Sequence, residues 1–151
     1  MTDIVDSATR SRMMSGIRGK NTAPELLVRS LLHRRGLRFR IHRKDLPGHP
    51  DIVLPKFRVV IFVHGCFWHG HECPLFKWPK TRADFWQEKI NHNKARDHIA
   101  INSLIVSGWR VAVVWECAVR ATRKNPDALI QKLCNWLGDD GGRDLMEISD
   151  L

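Results

Sequence analysis

Residues 57–76 read FRVVIFVHGCFWHGHECPLF, a continuous apolar run followed by a loop rich in histidine and cysteine. An apolar run of this kind is typical of a strand in the middle of a sheet, because both faces of such a strand are covered. Side chains alternate along a strand, so each face receives three of them: Val60, Phe62 and His64 on one, and Val59, Ile61 and Val63 on the other. The run therefore predicts a central strand that ends at His64, where the polar loop begins.

The sequence on either side predicts the remaining elements of one mixed sheet. Thr22 and Glu25 form a capping-box pattern at a helix start, and the alternation in LRFRIHR points Leu37, Phe39 and Ile41 inward. In chain order the elements are a helix over 22–36, strands within 37–43, 51–54 and 57–63, a helix over 84–108, a strand within 109–115 and a helix opened by 125–127. This order predicts an α/β fold of the α+β type, with a mixed β-sheet flanked by helices.

The charge of the chain indicates a polyanion as partner. Lys and Arg outnumber Asp and Glu by 25 to 16, which gives a net charge of +9 and a sequence pI near 10.0. Seven basic residues and no acidic one lie between Leu26 and Lys44, whereas five acids and one arginine follow Leu137. This asymmetry favours one side that faces DNA. The alternative is a solvated basic face, the usual reason for a charge run.

The same patterns divide the chain into a flexible basic arm (1–20), a single domain (21–138) and an acidic C-terminal tail (139–151). No segment approaches the roughly 18 consecutive apolar residues that cross a membrane, and the N-terminus lacks an apolar signal core. We therefore expect a cytoplasmic protein without a membrane partner.

Asp51 and His64 are candidates for phosphodiester chemistry. Asp51 opens the strand over 51–54, and a hairpin with the run 57–63 brings it to the end of that run. A carboxylate can hold a hard divalent cation such as Mg²⁺, and a histidine can accept a proton from an attacking water. The alternative for Asp51 alone is a turn residue bound to its own backbone.

The loop also has the composition of a zinc site. Cys66-x4-His71-x-Cys73, together with Cys117 at the end of a later strand, supplies three thiolates and one imidazole. The spacing equally allows His69 in place of His71, and free thiols are the remaining alternative. Cys134 lies in an apolar helix pattern, where it is expected to pack in the core.

Three aromatic residues are candidates for contact with bases. Phe67 and Trp68 lie between the proposed ligands, where a rigid loop would hold them outward, and Trp86 follows in ADFWQEK. On a basic protein such side chains can stack on bases or wedge between base pairs. The remaining tryptophans with strong apolar context are expected in the core: Trp109, Trp115 and Trp136.

Together these residues resemble the very short patch repair (Vsr) DNA mismatch endonucleases. The resemblance extends from the segment TRSRMMSGIRGKNTAPE to the last helix and covers most of the chain. It is carried by Pro50-Asp51, Phe62-Val63-His64, Gly65-Cys66-Phe67-Trp68-His69, His71-x-Cys73, Trp86 and Val114-Trp115-Glu116-Cys117. The combination is highly specific, so the resemblance favours a nuclease more strongly than the spacing does.

The resemblance implies a restriction-endonuclease-like fold in which Phe62 and His64 occupy the places of an acidic residue and a lysine in related nucleases. It implies an enzyme that nicks one strand of double-stranded DNA on the 5′ side of the T in a T:G mismatch. Such mismatches arise when 5-methylcytosine deaminates, and the nick begins very short patch repair. A monomer is expected, with mismatch-repair proteins as possible partners and a place of action at the nucleoid.

The resemblance also implies a role for each candidate residue. Asp51 would bind catalytic Mg²⁺, His69 would be the general base, and Glu25 and His64 would assist. Structural Zn²⁺ would be bound by Cys66, His71, Cys73 and Cys117, and the aromatics inserted beside the mismatch would be Phe67, Trp68 and Trp86.

Val63 departs from the family pattern, which usually has threonine there, and we expect its main-chain carbonyl to contact the catalytic metal. Two other functions remain open at this point. One is a zinc-stabilised DNA-binding module without catalysis, and the other is a restriction endonuclease that cuts fully paired duplex.

Overall fold

The apolar run after Arg58 forms the central strand of a five-stranded mixed sheet in the computed structural model, which describes residues 21–139 and 142–150. The strands, in both chain and spatial order, are β1 (Arg40–Ile41), β2 (Ile52–Leu54), β3 (Val59–His64), β4 (Arg110–Trp115) and β5 (Leu145–Ile148). The helices are α1 (Ala23–Arg34), α2 (Ala83–Val106), α3 (Glu116–Ala121) and α4 (Ala128–Leu137). The predicted mixed sheet flanked by helices is confirmed.

The hairpin between β2 and β3 has the predicted antiparallel arrangement. A short 3-10 turn, Pro55–Phe57, joins the strands, and Arg58 closes it in the left-handed backbone region at φ 54°. The register pairs Ile52 with Ile61 and Leu54 with Val59. Because pairing stops at Ile61, the last three residues of β3 extend beyond the start of β2.

Strands β3 and β4 run parallel and are joined through α2, as a crossover between parallel strands requires. Their register continues to the last pair, His64 opposite Trp115. Both strands therefore end at the same edge of the sheet, and the segments that follow them begin side by side.

The two faces of the sheet carry two separate apolar layers. On one face, Ile61, Val114 and Ile148 pack with α1, α3 and α4. On the other, Val60 and Phe62 pack with Val113 and with residues near the end of α2. The alternation predicted along 57–63 is thus correct, and His64 lies on the face of Val60 and Phe62.

Two elements of the structure are absent from the prediction. Helix α3 has only six residues, too short for a helical period to show in the sequence. Strand β5 lies within 139–151, the segment predicted to be an acidic tail, and it pairs in parallel with β4. As an edge strand it needs only one buried face, so Ile148 is buried while Leu145 and Glu147 are exposed.

The first predicted strand is shorter than expected. Strand β1 contains two residues, and Ile41, predicted to point inward, is 43% exposed. Leu37 and Phe39 do pack against the core, but from a segment without ladder pairing. The alternation of apolar and basic residues therefore predicted the correct environment for two of the three apolar side chains, but it predicted a strand longer than the one observed.

The capping box at α1 forms only in part. The backbone N–H of Glu25 donates to Oγ1 of Thr22 at 3.4 Å, as predicted. The Glu25 carboxylate does not complete the reciprocal bond, since it forms ion pairs with Arg29 and His42. Two partly exposed side chains, Arg29 and His42, thus replace the backbone of Thr22 as partners of the buried Glu25 carboxylate.

The predicted arm, residues 1–20, lies outside the described residues. Within the described ranges, no helix combines the length and the apolar character needed to cross a bilayer.

We expect Ile148→Ala to lower the free energy of unfolding by about 2 kcal/mol or more, because the residue is 4% exposed in a close-packed layer. Leu145→Ala in the same strand is the matched control, since Leu145 is 38% exposed, and it should cost less than half as much. Chemical denaturation of both variants measures the difference. Equal, small effects would contradict an integral role for β5.

Candidate functional site

Asp51 lies directly before β2 and reaches the overhanging end of β3. Its Oδ2 accepts a hydrogen bond from the backbone N–H of Val63 at 2.8 Å. The contact lies two residues past Ile61, where β2 no longer supplies backbone partners to β3. The carboxylate therefore accepts the hydrogen bond that a backbone carbonyl of a longer β2 would have accepted. The predicted contact of Asp51 with the end of the run is confirmed.

The surroundings of Asp51 disfavour the ionised form of its carboxyl group. Burial raises the pKa of this carboxyl, and the bond from Val63 and the charges of His42, His69 and Arg29 lower it without cancelling the effect. A partly buried carboxylate whose ionised form is disfavoured gains from a nearby cation. The residue thus has the electrostatic character of a metal ligand.

A second carboxylate, which is fully buried, lies beside that of Asp51. Glu25 is 1% exposed, and one atom each from Glu25, His42 and Asp51 lie within 4.8 Å of one another. The Nε2 of His42 lies 2.8 Å from Oε2 of Glu25 and 3.2 Å from Nη2 of Arg29. Arg29 also forms an ion pair with Glu25. These contacts hold Glu25 in place beside Asp51.

His64 and His69 form a stacked pair. Their ring centroids lie 3.7 Å apart with an interplanar angle of 5°. Burial, and secondarily the charge of His69, hold the pKa of His64 well below its usual range. His64 is therefore a neutral imidazole at physiological pH, and it can act as a hydrogen-bonding group beside His69.

Asp97 orients His69 from α2. The Nδ1 of His69 lies 2.5 Å from Oδ2 of Asp97, and both side chains are about one quarter exposed. A carboxylate on Nδ1 fixes the ring and its tautomer and leaves Nε2 as the nitrogen that can accept a proton. His69 thus has the arrangement of a general base with an orienting partner.

The Cys/His loop, residues 65–73, directly follows β3. One ligand atom each from Cys66, His71, Cys73 and Cys117 lies within 4.8 Å of the others. Sγ of Cys117 is 3.7 Å from Nδ1 of His71, close to the roughly 3.6 Å edge of a tetrahedron with Zn–S and Zn–N distances near 2.3 and 2.0 Å. The group could hold one tetrahedral metal ion.

The register of the sheet creates this group. His64 and Trp115 are the last pair of β3 and β4, and Cys66 and Cys117 each follow two residues later. Burial raises the pKa of the Cys66 thiol and lowers that of His71, so the imidazole is neutral, the form that binds metal. The buried Cys66 thiol in this state favours a cation that can replace its proton.

Surrounding residues fix the ligands. The Trp115 ring stacks on His71 with centroids 4.2 Å apart, and its Nε1–H donates to Glu147 of β5 at 3.2 Å. The backbone N–H of Asp150 donates to Sγ of Cys117 at 3.4 Å. Such outer hydrogen bonds orient ligands in metal sites.

The loop is also fastened to α2. Gly70 has φ 64°, and a side chain there would meet Ile90 and Lys94 at 2.8 Å, so only glycine permits this close approach. Asn93, 8% exposed, donates to the carbonyl of Trp68 at 2.9 Å. These contacts set the position of the segment that carries Trp68 and His69.

Phe67, Trp68 and Trp86, which we call the aromatic wedge, contact one another. Ring centroids are 5.2 Å apart for Phe67 and Trp68, 5.4 Å for Phe67 and Trp86, and 5.8 Å for Trp68 and Trp86. All three side chains are partly exposed. The structure thus brings Trp86 of α2 into contact with the neighbouring residues Phe67 and Trp68 of the loop.

A cleft of about 1310 Å³ connects these parts. It is lined by Asp51, His64, His69 and Asp97, and by Phe67 and Trp68 of the wedge. The basic residues on its walls are Lys44, Arg96 and Arg120. Lys44 is the member of the predicted basic run that lines the cleft, while Arg29 of that run is occupied by Glu25.

Three residues that contact the candidate site were not predicted from the sequence: Asp97, His42 and Asn93. Asn93 and Asp97 are four residues apart in the polar half of α2, so a polar stripe facing the loop was the available signal. His42 lies in an irregular segment and has a left-handed backbone conformation with φ 53°. No periodic pattern in the sequence predicts the direction of a side chain in such a segment.

Comparison with known sequences gives consistent matches. Residues 2–75 match the family model described as DNA mismatch endonuclease Vsr. The DNA mismatch endonuclease Vsr of Escherichia coli strain K12 is 49% identical over 142 residues, which cover 93% of this chain and 91% of that protein.

Two nicking enzymes are also similar. The type II nicking enzyme V.XorIIP of Xanthomonas oryzae pv. oryzae is 57% identical over 117 residues, covering 78% of this chain and 86% of the relative. V.NmeAIP of Neisseria meningitidis serogroup A is 47% identical over 120 residues, covering 80% and 86%.

We expect the purified protein to contain one thiolate-bound metal ion per chain and Cys73→Ser to lose it, with a loss of thermal stability. Cys134→Ser is the matched control, because Cys134 packs against the core away from the cluster and should leave the metal content unchanged. Elemental analysis and thermal unfolding measure both effects. Wild-type protein without metal, or equal loss from both variants, would contradict the assignment.

Proposed function

Because the chain belongs to the Vsr family of DNA mismatch endonucleases, we propose that it nicks one strand of duplex DNA 5′ to the T of a T:G mismatch. The chain is a DNA-nicking endonuclease, and its sheet is of the restriction-endonuclease-like kind. The T:G specificity follows from the resemblance of its motifs, and with it a role in repair after deamination of 5-methylcytosine.

The observation that carries the proposal is the separation of two groups of ligands. Asp51 and His69 line one cleft, and His69 is close enough to affect the pKa of the Asp51 carboxyl. The four residues proposed for structural Zn²⁺ cluster elsewhere and do not include His69. Of the two alternatives in the loop, His71 is therefore the proposed ligand and His69 is left for catalysis.

Asp51 is the proposed ligand of a catalytic Mg²⁺. Its oxygen chemistry, its raised pKa and its place at an open cleft suit a hard cation that retains water and meets a phosphate. When bound, Mg²⁺ would stabilise the charge that develops on the phosphate. A main-chain carbonyl of residue 63 as the second ligand requires no particular side chain, so Val63 serves as well as threonine.

The histidines supply proton transfer. His69, fixed by Asp97 on Nδ1, accepts a proton from the attacking water at Nε2. His64, neutral and stacked on His69, keeps the ring in place and offers a hydrogen bond to the phosphate. Glu25 assists by holding its charge beside Asp51 while Arg29 and His42 keep it positioned.

The aromatic wedge is proposed to recognise the mismatch. Phe67, Trp68 and Trp86 would insert beside the T:G pair, because a mismatched step is easier to unstack than a paired one. The wedge and His69 belong to the same loop and the adjacent α2, so insertion places the scissile linkage near the general base. A rigid metal centre in that loop would maintain this spacing.

The protein is proposed to act as a monomer on duplex DNA. A nick requires further repair steps, so mismatch-repair proteins are the proposed partners, and the nucleoid in the cytoplasm is the proposed place of action.

With a duplex that contains one T:G pair, we expect a single-strand nick that requires Mg²⁺. Asp51→Ala and His69→Ala should each reduce the rate by at least about 10²-fold, as loss of a metal ligand or a general base does. Gel analysis of single-turnover reactions with strand-specific labels measures the rate.

Asp45→Ala and His98→Ala are the matched controls, since both residues are exposed and outside the cleft lining, and they should remain near the wild-type rate. Binding without scission would indicate a DNA-binding module. Cleavage of both strands of a C:G duplex at the same rate would indicate a restriction enzyme. Either result would contradict the proposal.

Asp97→Asn should lower the rate of the chemical step by less than the roughly 10²- to 10⁴-fold contribution of a general base, because the imidazole remains but is poorly oriented. The affinity for T:G duplex without Mg²⁺ should stay unchanged. Glu88→Gln, an exposed change on the same helix, is the control. A weakened affinity with an unchanged rate would show that Asp97 does not act through His69.

A further inference from the structure

Trp78 is an aromatic side chain that the proposed function leaves unexplained. Its residue is 48% exposed, which is unusual for the largest apolar side chain and marks surfaces that bind a partner. Its ring lies edge-on to Phe76 at 4.8 Å, so the indole is supported on one side and open on the other.

Trp78 is connected to the aromatic wedge through a row of rings. Trp68 contacts Phe67 at 5.2 Å, Phe67 stacks on Phe76 at 5.9 Å, and Phe76 contacts Trp78 at 4.8 Å. One strand of a duplex advances about 3.4 Å per nucleotide. Two ring contacts separate Trp78 from Phe67 of the wedge, and their combined reach corresponds to only a few nucleotides of a strand.

The surface around Trp78 is basic. Lys77, Lys80 and Arg82 lie between Phe76 and Ala83 without an acidic residue, and all three are exposed. The Arg82 guanidinium lies 4.4 Å from the centroid of the Phe85 ring, which is itself 44% exposed. Alternating cations and open aromatic faces suit a nucleic-acid strand better than an apolar protein surface.

A separate cavity of about 300 Å³ lies beside Trp78. Its walls include Trp78 and Phe76 on one side and Asn91 and Lys94 of α2 on the other, with Glu72 as the acidic residue. The lining differs from that of the large cleft, so this is a second recess rather than an extension of the first. Its mixture of an indole, an amide and an ammonium group suits a sugar and its phosphate.

We propose that Trp78, with Lys77, Lys80 and Lys94, forms a second DNA-contacting surface that binds the backbone and sugar of the duplex a few nucleotides from the mismatch. The proposal rests on the proposed function for the position of the wedge. It assigns Trp78 an affinity for flanking DNA that is independent of the mismatch, whereas the wedge supplies discrimination.

The test measures dissociation constants without Mg²⁺ for three kinds of duplex: T:G with long flanks, C:G with long flanks, and T:G with either flank shortened to a few base pairs. Trp78→Ala should raise the constant by about five- to tenfold for both long duplexes, in the lower range for loss of an aromatic contact with nucleic acid. Shortening the flank that contacts Trp78 should remove the difference in dissociation constant between Trp78→Ala and wild type. Shortening the opposite flank should leave that difference unchanged.

Trp78→Phe should restore most of the affinity, and Val106→Ala, at an 87% exposed position, is the surface control expected to bind as wild type. Trp68→Ala should instead lose affinity mainly for the T:G duplex. Equal metal content and thermal stability of the variants exclude misfolding as the cause.

Wild-type affinity of Trp78→Ala for every duplex would overturn the proposal and leave a protein partner as the reason for its exposure. A loss confined to T:G, or one that persists whichever flank is trimmed, would also overturn it. Failure of the proposed function would give a different result, because the wild-type protein would then bind T:G and C:G duplexes equally. The loss of affinity of Trp78→Ala for the C:G duplex would still be measurable in that case.

Discussion

The parallel pairing of β3 with β4 is the constraint on which the rest of the structure depends. Because their register ends with His64 opposite Trp115, the chain leaves both strands at one edge of the sheet. Cys66 and Cys117, each two residues further on, are brought together by that register and by no local feature. A shift of one residue would turn His64 away from His69 and separate the two thiols, since alternate side chains face opposite sides.

The same edge accommodates several buried polar groups that would be costly elsewhere. Asp51 is stabilised by the backbone of Val63, Glu25 by Arg29 and His42, and His64 remains neutral. Burial of an unpaired charge is unfavourable, so each group depends on its partner or on a bound cation. This dependence keeps the carboxylates and imidazoles in one arrangement and leaves the Asp51 carboxylate available to a metal.

The aromatic residues divide between buried and partly exposed positions according to the element that carries them. Trp115 and Trp136 are buried and pack in the two layers of the sheet. Phe67 and Trp68 of the wedge lie instead on a loop held by Asn93 and by the close approach of Gly70 to α2, and Trp86 lies in α2 itself, so these rings remain partly exposed and fixed relative to His69. A supported but open ring loses little conformational entropy on binding, which favours stacking on bases.

The sequence by itself determined the strand 57–63, its two faces, the hairpin with Asp51 and the helices α1, α2 and α4, because period and turn residues are local properties. It left His69 and His71 as alternatives, overestimated β1 and missed α3 and β5, whose short lengths carry no period. Only the tertiary structure decided that Asp97 contacts His69, that Glu25 pairs with Arg29 and His42, and that His71 lies with the three cysteines. These contacts join residues far apart in the chain, and their geometry depends on helix position and strand register, which no local pattern encodes.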